Sequence, residues 1–406
     1  MKKLFYNVNN YLLLVMLAVV VLTQSGCKKD TTSGAPVITS IRDYVPSPGD
    51  SLISRVGTGQ WVVISGRNLK GALQINFDGV AGSFNDAWFS DTSAIALIPS
   101  VIAFPSVPSK QLNTIQYITT HGQTTFSFPI VAPAPTISGI SDEDANPGDS
   151  VKIYGFNFFF IKSVVYAGLP VTGYTSSSDG TSITLAVPAA VTQNGGIVSV
   201  TTNSGSASTI YTVHDFITGV FQNWDNINGY PWGSNTDNSS TDYPGNTGSY
   251  NVLTATNLSA NDFGWYNGGR GVNMGNAQWV PVADIDSSLA DYAVKFEISV
   301  TAATPWVNGS IYVAVNYSFT YIALYQPWKN ANGSSSPFVT NGWQTVTIPL
   351  SNFRTNDGTG TQAASITDLV GASGNNAMEV WYINDGSTPV VSFAAAIDNI
   401  RVVKIQ

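Results

Sequence analysis

Four short stretches late in the chain hold the residues best suited to gripping a ligand. They are Tyr230-Pro231-Trp232-Gly233, Phe263-Gly264-Trp265-Tyr266-Asn267-Gly268-Gly269, Thr304-Pro305-Trp306-Val307-Asn308-Gly309 and Tyr325-Gln326-Pro327-Trp328-Lys329-Asn330. Each sets an aromatic ring beside Gly, Pro or Asn, where a turn rather than a strand is expected. A ring fixed by such a turn is a flat apolar surface with few torsions left to freeze. Amides and a guanidinium around it supply hydrogen bonds. That combination suits a pyranose, which presents a C–H face and a rim of hydroxyls. Trp265, Trp306 and Trp328 are the expected platforms, with Asn267, Arg270, Asn308 and Asn330 as hydroxyl partners. Trp381 shares a strand face with Glu379 and Ile383, and a groove-lining and a buried role are equally open to it. Trp224, Trp279 and Trp343 have strand-like, apolar surroundings and are expected in the core. Trp61 and Trp88, far upstream, are expected to pack against their own domain.

Hydrolytic chemistry is poorly supplied. A glycosidase needs two carboxyl groups flanking the scissile bond, and the chain has only three glutamates, Glu143, Glu297 and Glu379. Aspartates fall mostly in turns such as Asn356-Asp357-Gly358 and Asn384-Asp385-Gly386. No nucleophile elbow, metal-ligand cluster or phosphate loop is present, so no enzyme activity and no cofactor are expected. The two histidines, His121 and His214, have no ligand-spaced neighbours. Asp225 and Asp398 form the one candidate pair for a structural calcium, where a closing strand could meet an opening one; turn capping is the expected role of each.

Among 406 residues, only 10% are charged, and the net charge is −8. Without a basic stripe to neutralise phosphates, nucleic acid is not an expected partner. Lys2 and Lys3 precede an apolar run from Tyr11 to Leu22, too short to span a bilayer and of the length of a signal peptide. Ser25-Gly26-Cys27 follows directly. Cys27 is the sole cysteine, so no disulfide can form within one chain. The sequence resembles a lipoprotein processing box, which makes Cys27 the lipidated residue and residues 1–27 the signal segment. Residues 28–35 form a polar tether, and Lys28-Lys29-Asp30 resembles the charged stretch of surface-exported lipoproteins of the Bacteroidota type.

Two segments then repeat each other. Pro36-Val37-Ile38-Thr39-Ser40-Ile41 is echoed by Pro135-Thr136-Ile137-Ser138-Gly139-Ile140. Pro48-Gly49-Asp50-Ser51 returns as Pro147-Gly148-Asp149-Ser150, and Ile64-Ser65-Gly66-Arg67-Asn68-Leu69 as Ile153-Tyr154-Gly155-Phe156-Asn157-Phe158. Short alternating strands with frequent turn signals indicate small β-sandwiches at 36–131 and 132–213. These residues resemble the IPT/TIG family of immunoglobulin-like domains, which implies spacer or docking roles. Proline at 133 and 135 predicts a stiff connection between the copies.

From residue 214 to 406 the alternating runs lengthen and no helix is expected, so an all-β jelly roll is the predicted fold. Gly342-Trp343-Gln344-Thr345-Val346-Thr347-Ile348-Pro349 and Ile397-Asp398-Asn399-Ile400-Arg401-Val402 are similar to late strands of carbohydrate-binding jelly rolls. The lipid cysteine, the tandem IPT/TIG copies and this terminus together resemble surface glycan-binding proteins of the SGBP-B type from polysaccharide utilisation loci. The resemblance implies an outer-membrane lipoprotein, anchored through its lipid and facing outward. It would capture a polysaccharide for a TonB-dependent porter and its lidding lipoprotein. The readings it competes with are a surface adhesin or assembly protein and, more remotely, a glycoside hydrolase.

Overall fold

The computed structural model describes residues 34–228, 232–264 and 269–406. The chain forms two compact units, the first ending at Ala132 and the second beginning at Pro133. Helix is confined to isolated turns, and the fold is all-β.

The first unit holds two four-stranded sheets. One runs in the order Val37–Asp43, Trp61–Arg67, Ser93–Leu97, Ser83–Phe84, the other Val80–Ala81, Ala72–Phe77, Thr114–Thr119, Gly122–Ser127. Alternation places Val62, Ile64, Ile75, Phe77, Ile115 and Tyr117 inside, all fully buried.

The second unit begins with the same strand order: Thr136–Ile140, Ser150–Phe156, Ser182–Ala186, Tyr174–Ser176 over Leu169–Val171, Ile161–Tyr166, Ser199–Thr202, Gly205–Ser208. The repeated Gly-x-Asn motif has a physical reason that both copies show. A Cβ at Gly66 would lie 1.9 Å from the Val37 carbonyl oxygen, and one at Gly155 would lie 1.9 Å from that of Thr136. Two residues on, Asn68 and Asn157 both take left-handed backbone (φ 57° and 62°). Their side-chain amides donate to the carbonyls of Ala35 and Ala134, each at 3.1 Å. The motif thus closes the strand pair that opens each sandwich.

The rest of the second unit is a larger sandwich. One sheet orders Thr236–Asp237, Tyr250–Leu258, Val390–Lys404, Tyr292–Ser299 and Gln344–Pro349, with Val220–Gln222 also on the Val390–Lys404 strand. The other orders Gly271–Gln278, Asn375–Ile383, Ser310–Val315 and Ile322–Tyr325. Its core includes Leu253, Met274, Trp279, Phe296, Val313, Ile348, Met378, Tyr382 and Phe393. Thr355–Gly358 is a tight turn with left-handed Asn356 and Asp357 (φ 52° and 51°), and the expectation of no helix fails at a second short segment, Ile366–Val370. Ser365 caps the second of these by accepting from the Asp368 N–H at 3.0 Å, and Ile366, Leu369 and Val370 pack into the core.

The second small sandwich and the large one meet through a buried ion cluster. Glu143, on the turn after Thr136–Ile140, accepts from Lys295 at 2.5 Å and from Arg401 at 2.8 Å. Arg401 also forks onto Glu297, at 2.7 and 2.9 Å. Thr345 donates to Glu297 at 2.9 Å and accepts from the Glu143 N–H at 2.8 Å. Lys295 lies 3.4 Å from the centre of the Tyr211 ring. All four ionic side chains are at least 96% buried. Burial pushes the Glu143 carboxyl up, but Lys295 and Arg401 outweigh it and hold it below its ordinary value. Asp142, Asp144, Glu297 and Asp398 line a void of about 10 Å³ beside the cluster. Burial drives Asp398 well above the usual carboxylate range.

Two outcomes follow from this cluster. Arg401→Ala leaves Glu297 buried without its cation and Glu143 with Lys295 alone, and should cost about 3–5 kcal/mol in urea unfolding. The unfolded chain releases the Asp398 proton near its ordinary 3.8 while the folded chain keeps it. This group therefore lowers stability as pH rises from about 4 toward neutrality. Asp398→Asn should make the decline between pH 5 and pH 8 shallower, and equal slopes for the two proteins would contradict the assignment.

Candidate functional site

Directly opposed residues of antiparallel strands point to the same face, so the register of the four-stranded sheet sorts its side chains. One face carries Val272, Val380, Val313 and Ala323 into the core. The other carries, in one row, Gly271, Trp381, Tyr312 and Leu324, and in the next Asn273, Glu379, Ala314 and Ile322. Small residues leave room for the large ones: a Cβ at Gly271 would lie 2.4 Å from that of Trp381. The Trp381 indole is tilted against Tyr312 and Phe319, with centroids 5.5 and 5.2 Å away. Tyr312, Trp381, Ile322 and Ile383 form an apolar cluster separate from the main core.

Polar groups on this outward face fall into two kinds. At one end Ser310 donates to Asp385 at 2.7 Å and accepts from Gln326 at 2.7 Å. Near the middle, both Glu379 carboxylate oxygens and the Trp381 indole N–H are buried without a hydrogen-bond partner among the described residues. Desolvation raises the Glu379 carboxyl to about 7. Trp232 pairs with Asn273 in an isolated bridge, which sets it at the edge of the Glu379 row, 49% exposed.

The residues expected from sequence distribute unevenly. Trp265 and Asn267 lie outside the described residues. Trp306 is 1% exposed, which overturns its expected role as a platform. Its bridge to Phe338 fixes extended backbone, so side chains alternate: Trp306 turns in and Val307 turns out. The indole sits edge-on to Tyr325, Phe338, Tyr382 and Phe393 and donates to the Asn308 carbonyl at 2.7 Å. Arg270, expected to meet hydroxyls, is instead a buried brace. It pairs with Asp262 at 3.0 Å and donates to the Tyr382 carbonyl at 3.2 Å, tying Asp262 to the Asn375–Ile383 strand. Asn308 is likewise a tie, donating to the Thr388 hydroxyl at 3.0 Å. Trp328 is half-buried against the core edge, its N–H donating to the Gly309 carbonyl at 2.6 Å. Asn330 is exposed and donates to Ser334 at 2.9 Å. Trp381 is 5% exposed. Trp224, Trp279 and Trp343 are buried.

The Asp225–Asp398 pair is engaged with its own neighbours. Asp225 accepts from the Ser249 N–H at 2.8 Å, and Asp398 from the Asn399 N–H at 2.7 Å. Among the described residues no group of three His, Cys, Asp or Glu is arranged for a metal ion. Sequence reading passed over Tyr312, Glu379 and Trp232 as a group. Alternation within 378–383 showed that Glu379 and Trp381 share a face, but which strands flank it is a long-range fact.

Comparison with known proteins finds relatives of the terminal domain and of the whole fold. Residues 214–404 match the family model described as the surface glycan-binding protein B xyloglucan binding domain. An IPT/TIG domain-containing protein of Bacteroides ovatus is 26% identical over 213 residues, 49% of this chain. The match spans 44% of that relative's length. The structure resembles that of the surface glycan-binding protein PbSGBP-B from Prevotella bryantii, with TM-score 0.69 and 22% identity over 92% of this chain and 99% of that one. An SGBP-B from a complex xyloglucan utilization locus in Bacteroides uniformis aligns with TM-score 0.50 and 19% identity over 91% and 100%. At these identities the structural likenesses show the fold. The likeness to the surface glycan-binding family rests on the model matched by residues 214–404.

A carboxyl whose pKa is raised by burial weakens the fold as pH climbs from its unfolded value, 4.5, through about 7. Glu379→Gln should therefore match the parent's stability at pH 5 and exceed it by roughly 1–3 kcal/mol at pH 8, measured by urea unfolding at both pH values.

Proposed function

We propose that this chain is a non-catalytic surface glycan binder and that the outward face of its terminal four-stranded sheet takes a polysaccharide of the xyloglucan class. The observation that carries the reading is the set of unpartnered groups on that face. Glu379 and Trp381 are 1% and 5% exposed, so a sugar hydroxyl reaches them only when the side chains over them shift; the Glu379 carboxyl, raised by burial, can then donate or accept, and the Trp381 N–H can donate. Trp232 at the edge, with Trp328 on the rim of the same sandwich, offers ring surface for stacking. The match of 214–404 to a xyloglucan-binding family model supports the choice of glycan class.

The other two glutamates favour binding over hydrolysis. Glu143 and Glu297 are both committed to Arg401 in the buried cluster, so neither is free to pair with Glu379 across a glycosidic bond. The chain would sit at the cell surface, held through lipidated Cys27 at the outer membrane. There it would deliver glycan to a TonB-dependent porter and its lidding lipoprotein. Single sites of micromolar to millimolar strength serve such a role, because many tethered copies hold one long polymer.

Native gels cast with xyloglucan test the reading. The wild-type chain should be retarded. Trp232→Ala and Trp381→Ala should each lower affinity by roughly tenfold or more, a loss of about 1–3 kcal/mol, while Trp306→Phe keeps its retardation if it folds. Wild-type migration unchanged by xyloglucan, mixed-linkage glucan and other plant polysaccharides would remove the proposal.

A further inference from the structure

The first unit bears an aromatic row that its core does not use. Trp61, at the start of the Trp61–Arg67 strand, lies 6.1 Å centroid to centroid from both Tyr44 and Trp88, its ring tilted by 43° and 52° to theirs. All three rings are open to solvent, Trp61 at 37% and Tyr44 and Trp88 at 53%. Packing against the first unit, the role expected for Trp61 and Trp88, accounts for only part of each ring, and the rest faces solvent. A strand in the middle of its sheet anchors Trp61. Trp88 closes a 3-10 turn whose cap, Asn85, accepts from the Ala87 N–H at 3.1 Å. The rings are thus held in place before any ligand arrives.

We infer that Tyr44, Trp61 and Trp88 form a second contact for the glycan chain, separate from the terminal domain. The inference rests on the reading of this protein as a glycan binder. Two observations favour a sugar polymer over a protein partner. The open area of the three rings is roughly 300 Å² and reaches about 500 Å² with exposed Val45 and Leu52, short of the ~800 Å² per partner of a stable protein interface. The charged groups beside Tyr44 are also already satisfied: Arg42 pairs with Asp50, and Asp43 accepts from the Ser51 N–H at 2.6 Å. At the rim stand neutral polar groups and one exposed carboxylate, Asp86, in the turn that carries Trp88. Exposed Gln60 is fixed by accepting from the Gly57 N–H at 3.2 Å, which leaves its amide hydrogens to donate. Rings tilted by 43° and 52° make an angled surface rather than a flat shelf, with apolar faces for about one or two sugar rings. A polymer touching both places gains effective concentration that a short oligosaccharide cannot.

The test uses the full chain, titrated with xyloglucan polymer and separately with a xyloglucan heptasaccharide. Four proteins are compared: wild type, Trp61→Ala/Trp88→Ala, Trp232→Ala/Trp381→Ala, and the four-site combination. The first-unit variant should bind the heptasaccharide as wild type does and lose at least fivefold in polymer affinity. The terminal variant should lose the heptasaccharide and keep residual polymer retardation, which the combination abolishes. Tyr44→Ala, an exposed single change, should reproduce the polymer loss in part and guards against misfolding of the double variant. Polymer affinity within twofold of wild type for both Trp61→Ala/Trp88→Ala and Tyr44→Ala overturns this inference while leaving the terminal site standing. No binding of either glycan by wild type overturns both.

Discussion

Arg401 is the interaction on which the second unit depends. Its guanidinium joins Glu143 of the small sandwich to Glu297 of the large one, and Lys295 completes the charge balance. A buried pair adds little net stability over an apolar one, but it fixes one arrangement, because any other leaves charges unpaired in low dielectric. The small sandwich is therefore a mount of defined geometry for the large one, and the word spacer understates it. The strand that carries Arg401 also runs through the centre of the larger sheet, so the mount and the core of the terminal domain share a backbone.

A sandwich has two inner faces that must be apolar and two outer faces that are free to vary. In the terminal domain the outer face of the four-stranded sheet departs from the usual polar covering. It carries its own apolar cluster around Trp381, with a carboxyl and an indole N–H left unpaired inside it. Leaving buried polar groups unsatisfied costs stability, and a hydroxyl-rich ligand relieves that cost. Arg270 and Asn308 are both structural ties, to Asp262 and to Thr388.

Much of the fold was legible in the residues. The repeated Gly-x-Asn motif announced two copies of one sandwich, because a close backbone approach and a left-handed turn each restrict the residue type. Alternation separated inner from outer positions along 378–383. Loop flanks misled. Pro305 and Asn308 made Trp306 look exposed, yet the pairing with Phe338 turned it inward. Trp61 looked structural because a strand surrounds it, yet it sits at the strand's open end. Arg270 looked available until Asp262, eight residues away, was seen to hold it. Each miss concerns a partner distant in sequence or a direction set by register, and neither is written in local composition.

The indole N–H signals of the full chain, followed by nitrogen-15 NMR during titration with a xyloglucan heptasaccharide, test the central claim most directly. The account predicts that the Trp381 and Trp232 signals move, Trp381 because its unpaired N–H gains an acceptor, while those of core Trp279 and Trp306 stay. Saturable binding that leaves Trp381 and Trp232 unmoved would contradict it.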